Sequence, residues 1–206
     1  MPQVTLQEKI DRCEKILIGI GEEWDEAGCP EAKAAYEKLF ELVKDKDYFV
    51  VSQNMDGLLY DSPFDHKRSV APCGNVNWKQ CSKACTKDIW EQDEVPSGIC
   101  PHCGAPLEGN MVQSECYIEE GYMPQWKAYT EWLTRTLNRN LLVLELGVGF
   151  KIPSVIRWPF EKTAYFNKKS YLFRVHETFA QTAKEIEERS CGIPENSVEF
   201  ILKESK

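Results

Sequence analysis

No stretch of this sequence concentrates lysine and arginine, and the net charge is −8. Phosphate backbones and anionic membranes are drawn by positive potential, so a chain of this sign is not expected to bind nucleic acid or membrane surfaces. Long apolar runs are missing too. The longest, such as LLVLEL, fall far short of the roughly 20 residues that span a bilayer. The opening MPQVTLQEKIDRCEKI lacks the basic-then-apolar order of a secretory leader. These absences point to a soluble, cytoplasmic protein. There is no internal repeat, no low-complexity tract and no even cysteine count. Nine unevenly spaced cysteines argue against a closed disulfide framework, and in a cytosolic chain clustered cysteines more often bind metal.

What is present fits one domain with a small insertion, because 206 residues suffice to bury roughly 70% of the unfolded surface. Four apolar runs, 15–21, 48–54, 140–147 and 170–176, read as strands. Each is short, rich in β-branched or aromatic residues and nearly continuous, as a parallel strand covered on both faces should be. Helical spacing lies between and after them. Ala35, Tyr36, Leu39, Phe40 and Val43 share one face of 31–43. Trp126, Tyr129, Leu133 and Leu137 repeat that spacing, and Phe179, Ala183 and Ile186 predict a further helix. The alternation predicts an α/β fold, a Rossmann-like doubly wound parallel sheet. Ligands of such sheets bind beyond the strands' carboxyl ends, here 19–21, 53–56, 147–149 and 175–176. Residues 73–110, dense in Cys, Gly, Pro and Lys, break the rhythm and read as an inserted zinc-ribbon module. Residues 1–72 and 111–206 then form the Rossmann-like domain.

Cys81 and Cys85 are followed, after fourteen residues, by Cys100 and Cys103. Two cysteine pairs on tight turns can aim four thiolates at one tetrahedral Zn²⁺. Gly104 permits the bend behind the last ligand. Four thiolates leave no position for water, so the expected zinc is structural. Four free or disulfide-bonded cysteines are the plainer alternative. His102 lies inside the second pair and reads as a surface histidine.

Ser52-Gln53-Asn54-Met55-Asp56 closes the second strand with two amides and a carboxylate. Such groups can hold ribose hydroxyls and a carboxamide. A strand-terminating turn with side-chain caps uses the same residues, and local chemistry leaves both readings open. Gln53-Asn54-Met55-Asp56 resembles the sirtuin Gln-Asn-x-Asp motif, upstream of two cysteine pairs as in that family. Leu144-Glu145-Leu146-Gly147-Val148-Gly149-Phe150, Pro153 and Arg157-Trp158-Pro159-Phe160 are similar to the corresponding stretch of the macrodomain-linked sirtuins, as are Gln80-Cys81-Ser82 and the second cysteine pair. That branch is associated with protein ADP-ribosylation more than deacetylation. The resemblance covers roughly 48–176. Its combination of motifs is specific, although no single motif is.

The resemblance implies NAD and zinc as cofactors and a protein acceptor of unknown identity. It implies that Gly19, Gly21, Gln53, Gly147, Val148 and Gly149 line the NAD site, and that Asn54 and Asp56 orient the ribose and nicotinamide. Asp56 would stabilise positive charge as the ribose C–N bond breaks. The departures are as informative. The family's Gly-Ala-Gly-x-Ser loop is here Gly19-Ile20-Gly21-Glu22-Glu23-Trp24, with two acids where phosphate should sit. Only 25–30 stand in for the longer segment that encloses the nicotinamide end. Cys73 takes the place of the catalytic histidine, and a thiol is a poor general base unless its pKa is lowered; buried, it would be inert. Arg157 is the candidate cation to offset the acidic loop, since a guanidinium can pair bidentately with phosphate; an arginine stem packed on Trp158 with its head in solvent is the alternative. The expected function is an NAD-dependent protein ADP-ribosyltransferase or NAD hydrolase with deacylase activity weak or lost. The alternative is an inactive module that binds a nucleotide or ADP-ribose.

Overall fold

The first strand shows how the sheet is covered on both faces. In β1 (Lys15–Ile20), Ile16, Ile18 and Ile20 join one apolar cluster and Leu17 the other. A strand's side chains alternate between faces, so apolar residues at every position mean a layer on each side. The computed structural model describes residues 5–204; residues 1–4 and 205–206, the ends of the expected Rossmann-like domain and the start of the opening read as leaderless, lie outside the described residues.

The remaining strands are β2 (Asp47–Ser52), β3 (Ser69–Val70), β4 (Gly74–Cys81), β5 (Trp90–Glu91), β6 (Leu107–Met111), β7 (Leu141–Leu146), β8 (Tyr171–Val175) and β9 (Ser190–Ile193). The helices are α1 (Leu6–Arg12), α2 (Ala32–Val43), α3 (Leu58–Asp61), α4 (Met123–Thr134), α5 (Arg157–Phe166) and α6 (Ser197–Lys203). Six strands form one parallel sheet in the order β3-β2-β1-β7-β8-β9. The chain winds outward from β1 to β3, returns to β7 and winds outward the other way. The doubly wound sheet is therefore borne out, and its order reverses between β1 and β7. Residues of α1, α2, α3 and α6 pack one face with Trp24, and residues of α4 and α5 the other. The register pairs Gly19 with Glu145 across β1 and β7. A Cβ at Gly19 would lie 2.5 Å from Ile156 Cγ2 and 2.7 Å from Phe160, so glycine is required there for α5 to approach.

Two elements differ from the periodicity. The helix expected over 179–186 is turn and coil followed by a 3₁₀ segment, Lys184–Arg189. The carbonyls of Phe179 and Gln181, which a helix would use internally, accept instead from Arg157 and Arg174. The expected Leu137 contact also fails: α4 ends at Thr134, and Leu137 is exposed. Helix α5 carries no clear amphipathic signal, because its outer face presents Trp158, Tyr165 and Phe166. Pro159 sits in its first turn, where a missing N–H breaks no bond.

Strands β5, β4 and β6 form a separate antiparallel sheet. Its apolar cluster is Cys81, Cys100 and Ala105, with Trp90 and Leu107 against them. So small a core cannot hold a fold by burial alone. No described helix is long and apolar enough to cross a membrane.

Candidate functional site

The reversal between β1 and β7 brings the expected glycines together. Gly21 approaches the 147–148 backbone so closely that a Cβ on it would lie 2.5 Å from Val148 Cα. Its N–H donates to the Leu146 carbonyl at 2.9 Å. Gly147 turns with φ of +65°, a conformation glycine adopts without steric penalty. Gly19 stands apart from this convergence: it lies inside β1, facing α5.

Gln53 and Asn54 leave β2 into the same region, and both are buried. Asn54 Nδ2 donates to the Gly21 carbonyl at 2.9 Å. Asp56 Oδ2 accepts from the Glu26 N–H and Oδ1 from the Leu58 N–H, each at 3.0 Å. The capping reading of this motif is thus realised in hydrogen bonds, and these bonds tie the β2 terminus to the segment after β1. Burial raises the Asp56 pKa, the adjacent N–H donors opposing it.

The two acids part company. Glu23 Oε2 accepts from the Ser197 N–H at 2.8 Å and its hydroxyl at 2.6 Å, and Oε1 accepts from the Glu177 N–H at 2.8 Å. It is turned toward α6. Glu22 stays in the crevice: Gln53 Nε2 donates to its Oε2, and its Oε1 fills the space where a Gly149 side chain would begin.

Sequence reasoning marked the β8 end but assigned His176 no role. Its Nδ1 accepts from the N–H groups of Thr178 and Phe179, at 3.0 and 3.1 Å. Glu23 Oε1 is also 3.2 Å from Nδ1. Nε2 is buried without a partner, 3.2 Å from where a Gly149 Cβ would stand. Gln53 Oε1 is likewise buried and unpartnered. A polar residue closing a parallel strand was the available signal.

Arg157 is placed otherwise than expected, and Cys73 takes the buried, inert alternative. Arg157 is neither a free phosphate ligand nor solvated above Trp158. It is buried, with Nη1 donating to the Val148 and Phe179 carbonyls at 2.8 Å each and Nη2 to the Gln181 carbonyl at 3.3 Å. It pins the 147–149 turn from behind. Cys73 is buried, and desolvation pushes its thiol up to about 11. A neutral thiol at pH 7 takes no proton from a substrate.

The cysteines converge. Cys81 ends β4, and Cys100 and Cys103 lie on the turn before β6. The sulfurs of Cys81, Cys85, Cys100 and Cys103 all lie within 4.8 Å of one another, with 3.6 Å between Cys81 and Cys103 and between Cys85 and Cys100. Tetrahedral zinc with bonds of about 2.3 Å separates its sulfurs by about 3.8 Å, so the cluster fits that ion. Ala84 and Gly104 take positive φ, 45° and 73°, where each knuckle bends.

The fold defines a doubly wound α/β protein with a four-cysteine cluster. No family model matches the chain. A protein ADP-ribosyltransferase of Staphylococcus aureus (strain Mu50 / ATCC 700699) is 22% identical over 180 residues, covering 79% of this chain and 57% of that protein. An NAD-dependent protein deacetylase of Listeria monocytogenes serotype 4b (strain F2365) is 26% identical over 147 residues, covering 71% and 58%. Among solved structures, a histidine-to-asparagine mutant of a Sir2 homologue in complex with ADP-ribose superposes with a TM-score of 0.60 at 12% identity, over 95% of this chain and 92% of that one. The chain is sirtuin-like and has the Sir2-like fold. It spans little more than half the length of the two bacterial relatives.

Proposed function

We propose that the crevice binds NAD and that the protein transfers ADP-ribose from it to a protein acceptor or to water, with deacylation weak or lost. The supporting observation is the pair of buried, unpartnered atoms Gln53 Oε1 and His176 Nε2, at the ends of strands that flank the β1–β7 reversal. Buried polar atoms are ordinarily satisfied, and here a ligand would satisfy them. Gly21, Gly147, Val148 and Gly149 are buried beside Glu22 and Glu23, so a pyrophosphate would reach their backbone by displacing the Glu22 carboxylate, while Asn54 and Asp56 would face the ribose and nicotinamide. The activities named for the relatives, ADP-ribosyl transfer and NAD-dependent deacetylation, support this substrate class.

In the reaction, the bond between nicotinamide and the ribose C1′ breaks and nicotinamide leaves with the electron pair. The acceptor's lone pair forms the new bond at C1′, and its proton passes to solvent. Asp56 stabilises the positive charge that develops on the sugar. Deacylation additionally needs a base for the ribose 2′-hydroxyl, which Cys73 does not supply. Structural zinc on Cys81, Cys85, Cys100 and Cys103, within an inserted module at 73–110, and a cytoplasmic location complete this reading.

Glu22 favours a second reading. Its carboxylate lies where the ligand's phosphates would approach, as in a module that binds weakly and turns nothing over. Purified protein incubated with NAD should release nicotinamide, measured by chromatography, and add the mass of ADP-ribose to an acceptor. Binding of ADP-ribose without nicotinamide release would select the second reading. Absence of both would overturn the NAD site.

A further inference from the structure

The amino-terminal end of the sheet holds a cavity of about 360 Å³ among the starts of β7 and β8, the end of α1 and the turn before β8. Five cations line it: Lys9, Arg12, Lys168, Lys169 and Arg189. No carboxylate lines it among the described residues. Acids outnumber bases in this chain by 33 to 25, so composition alone would not collect five bases and no acid in one place.

The five come from three separate segments, and none forms an ion pair among the described residues. A helix end accounts for two of them: Lys9 and Arg12 occupy the last turn of α1, where cations complement the helix dipole. That account does not reach Lys168 and Lys169, held in the cavity wall by a pinned turn. Arg189 Nη1 fixes this turn by donating to the carbonyls of Ala164 at 2.9 Å and Asn167 at 3.0 Å. Lys9 Nζ sits 3.4 Å over the Tyr171 ring. Desolvation lowers the Lys9 pKa first, and the Arg12 charge lowers it further, with Glu8 and then Cys191 opposing. Five cations thus line one cavity with no carboxylate in its wall among the described residues, an arrangement a bound anion relieves.

We propose that this cavity is a binding site for a small phosphate-bearing molecule, separate from the nucleotide crevice. Ammonium and guanidinium groups from three segments line this one cavity; Lys168 Nζ rests 4.6 Å from the Tyr165 ring and would turn from it to reach an anion, and such donors suit the clustered oxygens of a phosphate. The volume suits a small metabolite rather than a polymer. The site lies at the strands' amino ends, whereas the crevice lies at their carboxyl ends, so the two can be tested apart.

The test is calorimetric titration with inorganic pyrophosphate at low ionic strength. Parent protein should bind saturably at one site. Lys168→Glu/Lys169→Glu, two exposed positions, should weaken binding at least about tenfold, equal to about 1.4 kcal/mol. Lys162→Glu/Lys184→Glu, the same change in net charge at exposed positions outside the cavity, should weaken it less than about twofold. Unchanged urea midpoints would show that both variants fold. An ADP-ribose titration of the first variant reads the crevice separately, so failure there leaves this proposal standing. No saturable binding by the parent would overturn it, as would equal losses in both variants or full affinity in the first. Citrate binding as tightly as pyrophosphate would overturn the phosphate assignment.

Discussion

Two like charges about 4 Å apart repel by about 1 kcal/mol in bulk water and by about 4 kcal/mol near a protein surface. A carboxylate beside a pyrophosphate site is therefore a measurable handicap. Glu22 holds that position against Gln53 and Gly149, while Glu23 has been drawn off to Ser197. Glu22→Gln keeps the size and a partner for Gln53 but removes the charge. ADP-ribose affinity should rise about tenfold on this change, by calorimetry; an unchanged Kd would place the phosphates elsewhere. At Cys73 the expected effect concerns pH. Burial raises the thiol from 9.0 to about 11. The unfolded chain then ionises first, so stability is fully present below about pH 9 and is lost as pH rises toward 11, by about 2–3 kcal/mol in all. Urea unfolding of parent and Cys73→Ala at pH 8 and pH 10 should show a smaller alkaline loss in the variant. Equal losses would mean that the thiol is hydrated.

At the scale of elements, the β5-β4-β6 sheet depends on its cysteines because its core is so small. Cys85→Ser should bind well under one zinc per chain by metal analysis. It should lose hydrogen-exchange protection over 81–107 while the parallel sheet keeps its own, since structural zinc contributes about 10–16 kcal/mol in small finger peptides. Full protection without metal would refute this. The cysteine spacing made this centre legible beforehand, as continuous apolar runs did the four central strands. The edges were not legible: β3 is two residues long and β9 is Ser-Cys-Gly-Ile, neither an apolar run. Nor was the fate of 179–186, where helical spacing loses to two arginines that take the backbone carbonyls. In the crevice, the identities of Gln53, Asn54 and Asp56 could be read in advance, but not the separation of Glu22 from Glu23. That separation depends on Ser197, 174 residues away in sequence.

Across the whole molecule, the crevice draws on both halves of the winding: β1 and β2 from one, β7 and β8 from the other. A ligand there binds only the folded chain, so ADP-ribose at a hundred times its Kd should raise the unfolding free energy by about 2.7 kcal/mol. The four-cysteine centre lies at the far end of β4 from this crevice, whereas the near end is tied to it by the Val76 N–H donating to the Met55 carbonyl at 2.9 Å. Between them stands a polar anchor. Gln80 Oε1 accepts from Asn110 Nδ2 at 2.7 Å and from the Ile118 N–H at 3.0 Å, which holds β4 to β6 and to the chain beyond. Fraying from Cys81 should stop at that anchor. The stabilisation by ADP-ribose should then be the same in Cys85→Ser as in the parent, to within about 0.5 kcal/mol, as for sites that share no partners. Chemical unfolding of both proteins with and without ligand measures the difference. A coupling above about 1 kcal/mol would mean that loss of metal reaches Met55 through β4, and that the zinc centre helps to shape the nucleotide crevice.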